Sequence, residues 1–108
     1  MVVSKGRNVL LRDIDYVDET LPPEEQVTKR LEWSKLAKGN NITEEEARKL
    51  CEANNIYNFE IRYSYDSSRE NGYVIYARRW DDLTIKAGTY LPQDIILYIY
   101  VNDLSTKP

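Results

Sequence analysis

Besides Glu44-Glu45-Glu46, which read as the cap and dipole complement of a helix start, the side chains of this chain that could do chemistry fall in three places. Asp81 and Asp82 stand beside Trp80. Carboxylates beside an aromatic suggest glycoside hydrolysis, which needs two carboxyls at a set separation across the scissile bond. Adjacent residues of an extended chain point to opposite faces, so these two cannot form that pair themselves; they read as a solvated loop. Asp13, Asp15, Asp18 and Glu19 offer the hard oxygens that calcium takes. They lack the glycine and closing glutamate of an EF-hand loop and read as a solvated strand face. The third place is Tyr76, Arg78, Arg79 and Trp80. Aromatics and arginine together are what binding interfaces concentrate, and these four are the residues assigned to a ligand or partner.

The missing residue types narrow the chemistry further. The 108 residues include no histidine, which removes the commonest general base, the commonest metal ligand and every Ser-His-Asp or Cys-His arrangement. Cys51 is the single cysteine, so no internal disulfide and no Cys-rich zinc site can form. It sits on the apolar face of an expected helix and reads as buried and inert. The chain is therefore read as a non-enzyme, with no catalytic residue, cofactor or metal. A net charge of −3 with scattered basic residues speaks against nucleic acid as a partner. No apolar run approaches the length of a membrane span, and the first residues lack the apolar stretch of a signal peptide.

These side chains must be placed by a single domain, since 42% apolar and 31% charged residues are the composition of a globular chain of this length. Thr43 and Glu46 have the spacing of a capping box, with Ile42 placed to staple onto Ala47. A helix is expected from there, with Ala47, Leu50 and Cys51 on one face. Asn54-Asn55 ends it, because asparagine tolerates the left-handed conformation, and Ile56 should fold back on the apolar face. Residues 57–65 alternate Tyr, Phe, Ile, Tyr, Tyr with polar side chains, the pattern of a half-buried strand. A polar loop ending in Asn71-Gly72 leads to a second strand at 73–77. Residues 78–86 read as a loop or irregular strand, and 87–89 as a turn. The last strand, 95–101, is apolar on both faces and should lie mid-sheet or be covered on both sides.

The chain has nine tyrosines, seven of them in these strands. They offer a stacking platform for sugars or cell-wall fragments, but for Tyr57, Tyr63, Tyr65, Tyr98 and Tyr100 the reading is a ring lying on the core and a hydroxyl reaching water. Upstream, residues 9–17 read as one short strand and 18–23 as a turn. Residues 24–36 read as a short helical start that becomes extended around Leu31 and Trp33.

The stretch Ile42-Thr43-Glu44-Glu45-Glu46-Ala47-Arg48-Lys49-Leu50 resembles the helix start of PASTA domains, in which a small polar cap precedes a Glu-Glu-Ala-x-x-Leu helix. Asn55-Ile56 is similar to the family's helix end, Val74-Ile75 to its Gly-x-Val-Ile strand, and Ala87-Gly88-Thr89 with the final strand to its Gly-Thr turn and closing strand. The likeness covers residues 42–102 and departs at 76–86. It implies an extracellular module of a bacterial penicillin-binding protein or transmembrane Ser/Thr kinase, one that contacts peptidoglycan fragments or spaces its neighbours. The expected architecture is α+β: one main helix on a three-stranded, mostly antiparallel sheet, with mixed pairing left open, and an N-terminal strand-and-helix extension. Residues 1–40 form that extension (Val2-Val3-Ser4-Lys5-Gly6 resembling the end of a preceding repeat), 41–102 the module and 103–108 a polar tail. The expected partners are peptidoglycan fragments or a protein, without membrane contact by this segment. The expected location is the outer face of a bacterial membrane as part of a larger protein. The alternative is a cytoplasmic interaction domain using the Tyr/Arg/Trp stretch.

Overall fold

The computed structural model describes residues 8–79, 85–92 and 96–106. Strands β1 (Asn8–Leu10), β2 (Ile14–Val17) and β3 (Thr28–Leu31) precede helices α1 (Trp33–Lys38) and α2 (Glu44–Ala53). Strands β4 (Phe59–Ser64), β5 (Val74–Arg79), β6 (Tyr90–Pro92) and β7 (Leu97–Asn102) follow. The fold is α+β. Its main sheet has the order β4-β7-β5, and β1 with β6 and β2 with β3 form two separate antiparallel ladders.

Helix α2 forms where the local chemistry demands it. The Thr43 hydroxyl accepts from the Glu46 N–H at 3.2 Å, and the Glu46 carboxylate accepts from the Thr43 N–H at 3.0 Å. Two of the orphan donors of the first turn are thus satisfied reciprocally. Glu46 also takes the Lys29 ammonium at 2.9 Å, tying α2 to β3. The helix ends at Asn54, and the left-handed residue is Asn55, with φ 59°. Ile56 then turns back, its N–H on the Cys51 carbonyl and its side chain fully buried. Thr43→Ala should cost about 1 kcal/mol. In urea denaturation the midpoint should fall while the slope stays constant.

The final strand lies mid-sheet, as its apolar run requires. Leu97, Ile99 and Val101 point into the core with Val74 and Ala77, against Ala47, Leu50 and Cys51 of α2 and Trp33 and Leu36 of α1. Its pairing corrects the expectation of a mostly antiparallel sheet. β7 is antiparallel to β5 but parallel to β4. β4 and β5 run in opposite directions, so a strand inserted between them runs with one and against the other.

The upstream segment differs more from its expected form. The single strand expected at 9–17 is two short ones with different partners, β1 on β6 and β2 on β3. A 3-10 turn (Pro23–Glu25) does give way to an extended segment, β3, which contains Leu31, but Trp33 opens helix α1 instead of continuing the strand. The cause is tertiary. Asp13 accepts from the Trp33 N–H at 2.9 Å at the start of α1, and the Trp33 indole N–H donates to the Arg12 carbonyl at 3.0 Å. Leu11, Leu31, Trp33 and Leu36 share one core with α2 and the main sheet.

Two buried asparagines join segments distant in sequence. Asn54 accepts from the Arg12 N–H and donates to the carbonyls of Arg12 and Leu50. Asn102 accepts from the Asp66 N–H and donates to the carbonyls of Arg69 and Glu70, holding the polar loop between β4 and β5. Each bond satisfies a backbone group that burial would otherwise leave exposed to a desolvation cost.

Candidate functional site

Strand alternation makes the site. With Leu97, Ile99 and Val101 turned inward, Tyr98 and Tyr100 must stand on the opposite face. The register then sets two rows across the sheet. Arg62 of β4, Tyr100 of β7 and Tyr76 of β5 lie side by side, as do Glu60, Tyr98 and Arg78. The Tyr76 and Tyr100 rings stack with centroids 4.5 Å apart and planes 11° from parallel. The guanidinium carbons of Arg62 and Arg78 lie 4.3 and 5.2 Å from the Tyr98 centroid. Both are cation–π contacts, weak individually on an exposed surface.

The electrostatics of the face are shared among its members. The Arg62 Nε binds Glu60 at 2.5 Å, and its Nη1 donates to the Tyr100 hydroxyl at 3.3 Å. Hydrogen bonds from Arg62 and then Arg78 hold the Tyr100 phenol below its ordinary pKa. Tyr76 moves the other way, raised first by desolvation and then by its bond to Tyr100. The hydrogen bond to Glu60 raises Arg62. Two guanidiniums and one carboxylate make this face locally cationic on a chain of net charge −3. Flat rings flanked by planar cations can stack on a ring or an aliphatic surface and pair with carboxylates at its border.

Of the four residues assigned from the sequence, the fold brings two together here. Tyr76 and Arg78 lie on this face, Tyr76 at 40% exposure. Arg79 has the other parity, is half-buried and lies opposite Leu97. Trp80 lies outside the described residues, as do Asp81, Asp82 and the segment expected to end a preceding repeat. The partners that sequence reasoning missed are Arg62, Tyr98 and Tyr100. Their signal was the odd–even alternation of the last strand: its inward residues are aliphatic, so its tyrosine rings do not lie on the core.

Several other acidic groups are held within the fold by neighbouring groups. Glu44 binds Arg48 at 2.9 Å and accepts from the Tyr63 hydroxyl at 3.0 Å. Tyr16 donates to Glu45 at 3.4 Å. Asp13 caps α1, Asp15 pairs with Arg30, and Asp18 closes a turn through Thr20. Among the described residues no three His, Cys, Asp or Glu side chains converge to hold a metal. Cys51 is buried, and desolvation pushes its thiol up to about 12. A cleft of about 200 Å³ is lined by Asn41, Arg69, Glu70 and Tyr73. Its arginine is committed to Asp66 and to the carbonyls of Gly39 and Val74. No helix among the described residues is long and apolar enough to cross a membrane.

Compared with protein-family models, with curated proteins and with solved structures, the chain matches none of them.

Proposed function

We propose that this chain is a non-enzymatic binding module of the PASTA type, part of a larger bacterial cell-envelope protein, and that its outward sheet face contacts peptidoglycan fragments. One observation carries the reading: Tyr76, Tyr98 and Tyr100 stand beside Arg62 and Arg78 on one solvent-facing surface. Tyrosine rings suit the C–H faces of sugar rings, and arginines suit the carboxylates of lactyl groups and stem peptides. The resemblance over residues 42–102 supports the same class.

Titration with a soluble muropeptide tests it. Amide shifts should move at Arg62, Tyr76, Arg78, Tyr98 and Tyr100, and Tyr98→Ala should weaken binding about tenfold, through loss of both the ring and its two cation contacts. Absence of any shift at millimolar muropeptide would leave a spacer and remove the ligand. A second reading, a cytoplasmic protein-interaction domain, is favoured by the same pairing of tyrosine with arginine, which protein interfaces concentrate. In that case Tyr98→Ala would abolish a complex formed with a cytosolic protein and muropeptide would move nothing.

A further inference from the structure

We propose that β4 is a self-pairing edge, and that a second copy of this chain adds antiparallel to it about a two-fold axis through Ile61.

The two edges of the main sheet are treated differently. On the β5 side, the turn after α1 lies against the backbone of Val74 and Ile75, and the Val74 N–H is bonded to the Ile42 carbonyl. On the β4 side, no strand among the described residues pairs beyond it. The ladder shows which groups face outward there. The Asn58 and Ser64 carbonyls accept from the Leu97 and Asp103 N–H groups, so the even-numbered residues of this parallel pair direct their backbone toward β7. Phe59, Ile61 and Tyr63 therefore present both N–H and C=O to the open edge. A six-residue edge of this kind is a template for another strand.

The side chains select the occupant. In an antiparallel pair centred on Ile61, Glu60 lies opposite Arg62 of the second copy, and Arg62 opposite its Glu60. On the other face Phe59 lies opposite Tyr63. Below those two, Arg48 sits over Phe59 with its guanidinium carbon 5.7 Å from the centroid, and Glu44 holds the Tyr63 hydroxyl at 3.0 Å. The same axis thus brings Arg48 of one copy toward Glu44 of the other. Both faces are complementary about one two-fold, which is the requirement of an isologous interface. A parallel pairing of these same two edges would need one copy turned face over, setting its Glu60 and Arg62 on the face that carries α2 in the other. The faces therefore select the direction and the charges the register, since a shift of two residues either way would set Glu60 on Glu60 or Arg62 on Arg62. Association here requires no ligand on the outward face.

Sedimentation of the full chain from micromolar to millimolar concentration should show a monomer–dimer equilibrium. Amide exchange at Phe59, Ile61 and Tyr63 should slow as concentration rises, while that at Glu60 and Arg62 stays constant. Glu60→Arg and Arg62→Glu, both exposed changes, should each weaken the dimer about tenfold by setting like charges across the axis. An equimolar mixture of the two variants should recover dimer as the mixed species. A chain that stays monomeric at millimolar concentration with those three amides unprotected would overturn the proposal. So would a dimer that either single variant leaves intact.

Discussion

Trp33→Ala should lower stability by about 4 kcal/mol, the largest effect expected of a single truncation in this chain. Trp33 is fully buried, in the core that joins the upstream segment to the main sheet. Its indole N–H is bonded to the Arg12 carbonyl, but that carbonyl also accepts from Asn54 at 3.0 Å. Removing the indole therefore leaves no orphaned acceptor, and the cost is that of the cavity. A domain of this size shifts by several degrees per kcal/mol, so the melting temperature should fall on the order of 20 °C. Trp33→Phe should recover most of the loss, because it restores much of the volume without the donor. If the phenylalanine variant were as unstable as the alanine variant, the hydrogen bond and not the packing would dominate.

Gly39→Ala should cost about 3 kcal/mol or more, although it adds a single methyl group. Gly39 ends α1 in the left-handed conformation, with φ 65°. That alone costs a side chain about 1–2 kcal/mol. A Cβ here would also stand 2.0 Å from the Ile75 carbonyl oxygen and 2.6 Å from that of Val74. Both are backbone atoms of β5 and cannot turn aside, so α1 must lift from the sheet. Gly88 separates the two costs. Its φ is 87° and nothing among the described residues lies within 4 Å of its Cβ position, so Gly88→Ala should show the conformational penalty alone, about 1 kcal/mol. Denaturation of the two variants side by side checks the difference. Equal losses would show that the approach of Gly39 to β5 carries no weight.

The most legible part of the chain was α2. Thr43, Glu46, Ile42 and Ile56 act over three to five residues, and short-range hydrogen bonds make a helix start readable wherever it sits. The alternation of β4 and the central place of β7 were legible for the same reason, since side-chain period and apolar content are local properties. The upstream forty residues were not. Their helix begins at Trp33 because Asp13, twenty residues earlier, reaches its N–H, and the two short strands before it take their partners from opposite ends of the chain.

The site divides along the same line. Sequence by itself determined that this chain lacks the histidine for common acid–base chemistry, carries one cysteine, and concentrates tyrosine and arginine in its strands. It also singled out Tyr76 and Arg78. Only the tertiary structure decided that Arg62, Tyr98 and Tyr100 join them, that Arg79 turns away, and that β4 rather than β5 is the open edge. The physical reason is register. Which residues meet across a sheet depends on strand order and direction, and those follow from how a whole core closes, with contacts such as Arg62 to Tyr100 spanning 38 residues.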